Sequence, residues 1–445
     1  MAIRRRRRVR QWIDGYADFS MRLPGPLTAL RHRNFAIFWS AATISDIGTW
    51  MQMIAVGVLV ARITGKASAT GLVSIVGFAT AGILAPLGGV LSDRFDRRKM
   101  MLAALASQAV LTAVLAVHLR SHPNVGFMTA LISLQGAAGA VGNPAAQALI
   151  PAMVPRDELL KAVSLLTVCW NSGRIFGSLL AAALATWMSA SAVVAINAVS
   201  FVVLFLGVAS ARGNFRAEPS PNVGESTSLF QEFRIGWHEL WTSRGCRFAL
   251  IAFFGIQMTI ATWVGLIPIY AQKVLGNAPG LASRLTALQG FGSIVGAAIA
   301  ANLVARFGRP RALLGGSVLC VLSLLGYSRV TTPRAAYLFA FLLGAGALIY
   351  FVLFGALMQR EAPEYARARI MSIQQSVLGV TYGLAVVVAG IIGDHVGLPL
   401  VLSCAATAFA VCIAIAIGPF RSWLPVLAKG DPASLRWQRI LARTE

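Results

Sequence analysis

Charged side chains are scarce in this sequence of 445 residues. They make up 12% of the chain, against roughly 25% in an ordinary soluble domain. Apolar residues reach 57%, and the mean hydropathy is +0.71. This balance argues against a soluble enzyme and against a disordered scaffold. The apolar residues form continuous runs, not the alternating pattern of an outer-membrane β-barrel. The composition therefore indicates an all-α membrane protein with many spans.

Motifs for metal, nucleotide or hydrolytic chemistry are missing as well. The five cysteines lie in or beside apolar runs and form no Cys-x-x-Cys pair, so we expect no metal site. The nearest approach to a phosphate-binding loop is Gly65-Lys66-Ala67-Ser68, but Val60 replaces the first glycine of that motif. Neither Gly-x-Ser-x-Gly nor His-Glu-x-x-His occurs. We therefore expect neither an enzyme nor a bound cofactor.

Twelve apolar segments are long enough to cross a bilayer as helices, since a span needs ~20 residues. The longest polar stretch divides them six and six, and it contains LFQEFRIGWHELWT, whose apolar residues recur at helical spacing. We expect that piece to lie at the membrane interface. The predicted spans are 35–61, 67–91, 100–119, 125–150, 161–187, 191–211, 247–271, 284–305, 312–328, 335–358, 370–393 and 398–418.

These spans divide the chain into five parts. They are a basic amino tail (1–34), a first six-helix bundle (35–211), a central segment with the interfacial helix (212–246), a second six-helix bundle (247–418) and a carboxyl tail (419–445).

The positive charge is distributed unevenly, and this predicts the topology. Of the 39 Lys and Arg residues, 31 lie in the two tails, the central segment and alternate loops, whereas 7 lie in the other loops. Lys and Arg accumulate in cytoplasmic loops, so we expect both termini in the cytoplasm of a bacterial inner membrane. This accounts for most of the net charge of +23 without nucleic acid. For the run Arg4 to Arg8 we expect contact with anionic lipid or simple solvation.

The two halves are internal repeats. GVLSDRFDRRK (89–99) matches ANLVARFGRPR (301–311), and ALIPAMVP (148–155) matches ALMQREAP (356–363), in the equivalent loops of each half. Chance similarity between apolar segments would not keep two polar loops in register. Two parallel six-helix repeats are typical of transporters that rock around a site at the midplane.

Several stretches resemble the major facilitator superfamily. GGVLSDRFDRRK (88–99) is similar to its signature between spans 2 and 3. Residues 33–52, 143–165, 267–276 and 366–373 resemble a bacterial efflux branch that includes enterobactin-exporter-like and macrolide-efflux-like proteins. The resemblance implies export of a small molecule by proton antiport. Two departures count against copying that proton mechanism, because Ile132 stands where the family's drug antiporters carry arginine, and Ser178 follows Gly177 in place of proline.

Two ionisable residues are predicted near the midplane. Asp46 lies well inside span 1, and Arg174 lies well inside span 5. An isolated charge at a helix centre costs ~2.5 to 3.5 kcal/mol, so such residues are usually paired or functional. We expect a contact between them. It is either a static pair that holds the first bundle or a site where Asp46 exchanges a proton or binds a cationic substrate.

The loop between spans 2 and 3 supplies a predicted latch. The resemblance implies that Asp93 joins the two bundles by lying near the start of span 11, where the helix dipole favours a carboxylate. The other predicted latch residues are Gly89, Arg94, Arg97 and Arg98. The general preference of Lys and Arg for cytoplasmic loops explains the basic residues of this loop but not Asp93.

Glycines spaced four apart predict close helix contacts. They are Gly173 and Gly177 in span 5, Gly292 and Gly296 in span 8, and Gly379 and Gly383 in span 11, and the resemblance pairs span 5 with 8 and span 2 with 11 across the boundary. Residues proposed to line a cavity are Gln135, Trp170, Gln257 and Trp263. For Trp170 and Trp263, exposure to lipid is an equal alternative.

The sequence therefore favours a secondary transporter that exports a lipophilic or amphipathic small molecule. We expect it to be a monomer. Uptake of a metabolite on the same fold is one alternative. A second is a sensor or assembly factor that keeps the architecture without transport. Fold alone does not identify the substrate.

Overall fold

The computed structural model describes residues 26–121, 123–155, 158–185, 187–211, 229–276, 278–361 and 367–417. Within these ranges every regular element is a helix, which confirms the all-α prediction. A short 3-10 helix, Pro26–Arg31, precedes the first long helix, and another, Ile150–Ala152, follows the fourth.

Six long helices form the first half. They are α1 (Arg33–Thr64), α2 (Ala67–Arg94), α3 (Arg97–His118), α4 (Val125–Leu149), α5 (Leu159–Leu184) and α6 (Ala190–Ser210). The second half begins with the shorter α7 (Leu229–Thr242). It continues with α8 (Arg244–Lys273), α9 (Leu281–Phe307), α10 (Arg309–Arg329), α11 (Pro333–Glu361), α12 (Arg367–Val396) and α13 (Leu398–Ile417).

Nine helices in the described ranges are long and apolar enough to cross a membrane, and two shorter apolar stretches lie at Val380–Val396 and Leu398–Ala414. A span needs ~20 residues because the helix rises 1.5 Å per residue through a core ~30 Å thick. The figure of twelve crossings stays a prediction from the sequence.

Local signals explain where several helices begin and end. Free backbone N–H groups at a helix start are satisfied by short polar side chains. Side-chain oxygens do so at the starts of α3, α4, α6 and α8, contributed by Asp96, Asn124, Ser189 and Ser243. At the end of α1, Gly65 adopts φ 59°, a left-handed conformation that glycine reaches without steric cost. These caps allow the short connections between neighbouring spans.

The two halves pack in the same way. In the first half α1 packs against α5 and α6, α2 against α4, and α3 against α4 and α6. In the second half the corresponding helices α8, α9 and α10 repeat this pattern with α11, α12 and α13. Each half thus forms one bundle: a large apolar cluster fills the second, whereas three smaller clusters fill the first. The common packing explains why polar loops at equivalent positions share sequence.

The bundles meet mainly along two helix pairs, α2 with α12 and α5 with α9. We call the side on which α1 begins and α6 ends the terminal side, and the opposite side the distal side. The terminal side is the one predicted to face the cytoplasm.

Helix α7 covers the segment predicted as an interfacial helix. It lies against α8 and α12 and buries Leu240 completely. Trp237 and Trp241 are 40% and 42% exposed, with their ring centroids 5.7 Å apart. Arg234 and His238 are exposed too. Leu240 thus faces the bundles, and the exposed side of α7 carries both aromatic and polar side chains. This arrangement is typical of a helix at a membrane surface.

Candidate functional site

Asp46 lies in the middle of α1, where α1 crosses α5. The thiol of Cys169 on α5 donates a hydrogen bond to Asp46 Oδ2 at 3.2 Å. The Thr43 hydroxyl, one turn earlier on α1, donates to the Trp39 carbonyl at 2.8 Å and lies 3.3 Å from Cys169 Sγ. A carboxylate can accept about four hydrogen bonds. Among the described residues, Cys169 is the one hydrogen-bond donor to the Asp46 side chain.

Close backbone packing brings α5 against Asp46. A Cβ atom built on Gly173 would lie 2.6 Å from Asp46 Cβ and 2.9 Å from its carbonyl carbon. One turn later, a Cβ on Gly177 would lie 2.9 Å from Trp50 Cβ. Only glycine allows such an approach, so α5 lies deeply in the groove of α1.

The predicted contact between Asp46 and Arg174 is not formed. Ion pairs within 4.0 Å between described side chains involve Glu158, with His32 and Lys161, and not Asp46. Arg174 points to the other bundle instead, because a Cβ on Gly290 of α9 would lie 3.3 Å from Arg174 Nε. The Tyr382 phenol on α12 is an electrostatic neighbour of the guanidinium. The charge predicted to hold the first bundle therefore lies at the boundary between bundles.

Helix geometry explains this difference. Successive residues of an α-helix are turned by ~100°, and residues four apart share a face. Cys169 and Gly173 share the face of α5 that contacts Asp46. Arg174 is the next residue, so its side chain leaves that face and reaches α9. The sequence predicts the position of Arg174 along its span but not this rotation of α5.

Three aromatic side chains extend the surface beside Asp46. The Trp170 ring packs edge-on against Trp50, with centroids 5.7 Å apart, and against Phe78 of α2, at 6.1 Å. Trp50 is 6% exposed, whereas Trp170 is 41% exposed. Phe78 and Tyr382 both pack against a small apolar cluster at the boundary, which consists of Ile75, Ala261, Ala385 and Val386. Through Trp50, which lies one turn after Asp46 on α1, these rings extend from the vicinity of the carboxylate towards α2.

A chain of buried amides fills the middle of the first bundle. Asn197 Nδ2 donates to Gln52 Oε1 at 2.8 Å, Gln52 Nε2 donates to Gln135 Oε1 at 2.9 Å, and Gln135 Nε2 donates to the Thr112 hydroxyl at 2.9 Å. Gln135, predicted to line a cavity, is therefore an internal residue of the bundle, because its amide bonds α1 and α3. Sequence reasoning missed Gln52 and Asn197. The sequence feature that could have identified them is a polar amide inside an otherwise apolar span.

Two more of the predicted cavity residues, Trp263 and Gln257, are also internal. Trp263 is 1% exposed and packs against Tyr327, with centroids 5.5 Å apart, in the core of the second bundle. It faces neither lipid nor a large cavity. Gln257 is 4% exposed on α8. Of the four predicted lining residues, only Trp170 presents a substantial exposed surface next to Asp46.

The glycine pairs of spans 5 and 8 make contacts within their own bundles, not across the boundary between spans 5 and 8. Gly173 and Gly177 face α1, and a Cβ on Gly292 or Gly296 would meet the backbone of Phe341 or Ala345 on α11. These approaches occur where each bundle's own helices cross. Across the boundary, Gly290 of α9 faces α5, and Gly383 of α12 faces Ala79 of α2. The surroundings of Gly379 lie outside the described residues.

The predicted latch is described only in part. The side chains of Asp93 and Arg94 and the surroundings of Gly89 lie outside the described residues. Arg98 donates from Nε to the Val208 carbonyl at 3.2 Å and from Nη2 to the Ala209 carbonyl, both at the end of α6. Carbonyls at a helix end carry partial negative charge, so Arg98 stabilises this terminus within the first bundle. Arg97 lies on the first turn of α3.

A cavity of about 170 Å³ lies between the bundles on the distal side. It is lined by residues of both halves, including Leu59, Arg62, Met188, Pro268, Gln272 and Ser283. Pockets for drug-sized ligands usually have volumes of ~300 to 1,000 Å³. This cavity is therefore smaller than a typical pocket for a drug-sized ligand. In the described part of the chain, no group of three or more His, Cys, Asp or Glu residues is placed to hold a metal ion.

Comparison with known proteins settles the family. The model of the Major Facilitator Superfamily matches residues 38–380, most of the chain. The chain belongs to the major facilitator superfamily. The resemblance drawn from the sequence is thereby confirmed.

The relatives of this superfamily member include MFS-type transporters and macrolide and multidrug efflux proteins. It is 26% identical over 382 residues to the multi-drug resistance efflux pump PmrA of Streptococcus pneumoniae, covering 82% of this chain and 90% of PmrA. It is 22% identical over 376 residues to macrolide efflux protein A of Streptococcus pyogenes, with the same coverage of 82% and 90%.

Solved structures show the same fold. A bacterial homologue of the human lysosomal transporter Spinster, in an inward-facing and occupied conformation, superposes with a TM-score of 0.72. The match covers 89% of this chain and 98% of that chain at 11% identity. This major facilitator protein is thus a multi-pass membrane transporter of small molecules and not an enzyme.

Proposed function

We propose that this transporter exports a lipophilic or amphipathic small molecule across the bacterial inner membrane by alternating access, in exchange for protons. The efflux activities named for its relatives support export. The uneven distribution of Lys and Arg supports a cytoplasmic terminal side. The observation that carries the proposal is the environment of Asp46.

Asp46 combines the features that proton exchange requires. It is an acidic residue deep in a predicted span, and no described cation lies within 4.0 Å to hold it permanently charged. Its hydrogen bond comes from a thiol, a weak donor. Protonation of Asp46 therefore removes a negative charge that is stabilised by only one weak hydrogen bond from the described residues. Loss of the proton restores that charge. Ile132 stands where the drug antiporters carry an arginine, so the group that couples proton movement to transport lies elsewhere in this protein. Asp46 is our candidate for that group.

The surroundings of Asp46 also suit an amphipathic cargo. Trp50 lies one turn from Asp46 on the same face of α1, and Trp170 and Phe78 join it. Aromatic rings bind apolar groups, and their faces attract cations. In the proposed cycle the charged form of Asp46 holds the polar end of the cargo. A proton arriving from the distal side then neutralises Asp46 and releases the cargo.

The test is the substitution Asp46→Asn, which keeps the shape and removes the titration. The expected result is normal expression and retained binding, with uphill transport driven by a pH gradient reduced by roughly tenfold or more, a loss equivalent to ~1.4 kcal/mol. Transport is measured in inverted vesicles with ethidium and erythromycin as probes. The matched control Asp46→Glu keeps a titratable group and should retain part of the pH-driven activity. Unchanged pH-driven transport by Asp46→Asn rules out Asp46 as the coupling group.

A further inference from the structure

Asp394 joins the two bundles on the distal side. It lies near the end of α12, and its carboxylate accepts three hydrogen bonds from the start of α2 in the other bundle. The Ala67 N–H donates to Oδ1 at 2.6 Å, and the Ser68 N–H and hydroxyl donate to Oδ2 at 3.0 and 2.5 Å.

These bonds supply a cap that α2 lacks in its own half. The first N–H groups of a helix have no partner inside the helix, and a side chain at the preceding position usually satisfies them. Before α2 that position is Lys66, whose side chain makes no capping bond. The Asp394 carboxylate takes this role from across the boundary, and its negative charge is stabilised at the positive end of the helix dipole.

A glycine one turn before Asp394 permits this approach. A Cβ atom on Gly390 would lie 2.7 Å from Ser68 Cα and 2.9 Å from the Ala67 carbonyl oxygen. Any larger residue would push α12 away from α2 and lengthen the bonds of Asp394. Gly390 and Asp394 thus act together: Gly390 lets α12 approach α2 closely, and this places the Asp394 carboxylate at the start of α2.

The same sequence pattern occurs at the end of α2, the partner helix of α12. Residues 390–394 read GIIGD at the end of α12, and residues 89–93 read GVLSD at the end of α2. Helices α2 and α12 pack against each other along the boundary in opposite directions. Each helix therefore carries Gly-x-x-x-Asp near its end. Asp93 is predicted to lie near the start of α12, as Asp394 lies at the start of α2.

We propose that Asp394 is a distal latch, the counterpart of the latch predicted at Asp93, and that the transporter exchanges one for the other as it rocks. Rocking about the centre of the α2–α12 pair separates one end of the pair as it closes the other. The cap that Asp394 forms on α2 and the cap predicted for Asp93 on α12 therefore cannot form at the same time. The Asp394 bonds hold the distal side closed, in agreement with the small distal cavity, and they break when that side opens.

The test measures opening of the distal side directly. A reporter cysteine, Ser283→Cys, lines the distal cavity, where Ser283 is 3% exposed. Its rate of labelling by a membrane-impermeant maleimide reports how often that side opens, and the protein without the reporter gives the background. Asp394→Ala should raise the rate about fivefold or more, the lower end of typical couplings between conformational states. Asp394→Asn, which loses the charge but keeps an acceptor oxygen, should raise it less.

Two further variants separate a latch from general damage to the fold. His395→Ala changes the exposed neighbour of Asp394 and should leave the labelling rate unchanged. Asp93→Asn should lower the rate, and the double variant Asp93→Asn/Asp394→Asn should return it towards that of the parent protein. An unchanged rate in Asp394→Ala, or changes in the same direction for Asp93→Asn and Asp394→Asn, overturns the proposal. Because no substrate or pH gradient is used, this result is independent of the role proposed for Asp46.

Discussion

Two kinds of polar residue coexist inside the helices of the first bundle, the buried amides and the half-buried Asp46, and they differ in how completely they are bonded. The amides of Gln52, Gln135 and Asn197 bond one another in series across α1, α4 and α6. Such a network favours one arrangement and keeps the bundle rigid. Asp46, by contrast, accepts from one thiol. A rigid frame around a weakly bonded carboxylate is the arrangement expected where a proton has to come and go.

Gly173 provides a test at the scale of one residue. Gly173→Ala places a methyl group against the Cβ and backbone of Asp46, and overpacking of this kind destabilises proteins by about 1 to 3 kcal/mol. The matched control is Gly315→Ala on α10, where nothing lies within 4 Å of the added Cβ. There the gain in helix propensity should stabilise the protein by about 0.5 to 1 kcal/mol. Unfolding of the purified protein in detergent measures both changes, and equal stabilities for the two variants would contradict the packing described at Asp46.

At the scale of helices, polar contacts on the terminal side hold α1 against α5. His32, just before α1, lies 2.8 Å from Glu158, just before α5, and Lys161 Nζ lies 3.5 Å from the same carboxylate. The Trp39 indole N–H on α1 donates to the Leu165 carbonyl on α5 at 2.9 Å. These contacts hold the two helices at the angle that brings Cys169 to Asp46.

The Glu158 contact predicts a pH dependence of stability. The hydrogen bond with His32 lowers the pKa of Glu158 below its ordinary value, and Lys161 acts in the same direction. The folded protein thus binds this proton less readily than the unfolded chain. The stabilisation is complete above the ordinary pKa of ~4.3 and is lost as the pH falls through the lower folded value. Glu158→Gln should therefore lower the unfolding temperature slightly at pH 7 and leave it unchanged near pH 3. A difference that stays constant with pH would show that charge is not the cause.

At the scale of the whole molecule, the boundary between the bundles is closed on the distal side. Asp394 bonds α12 to α2 there, and the remaining distal cavity of about 170 Å³ is small for a drug-sized molecule. In the proposed cycle, this is the conformation in which the bonds of Asp394 to the start of α2 are made.

The orientation itself is open to a direct measurement. The excess of Lys and Arg in the tails and central segment predicts that Ser220 lies in the cytoplasm and Ser121 outside. A single cysteine at Ser121 should react with an impermeant maleimide in intact cells, whereas one at Ser220 should react only after the membrane is permeabilised. Replacement of the exposed Cys404 lowers the background. Reaction of the Ser220 cysteine in intact cells would reverse the assigned topology.

The sequence by itself determined the helical class and the superfamily, and it predicts that Asp46 and Arg174 lie well inside their spans. These depend on local properties: the length of apolar runs, the caps at helix starts and the rise per residue. The tertiary structure decided which neighbour each helix face meets. It turned Cys169 and Gly173 of α5 towards Asp46 and Arg174 towards α9, and it placed Asp394 at the start of α2. Periodicity along a helix shows which residues share a face, but the rotation of that helix is set by packing among distant segments.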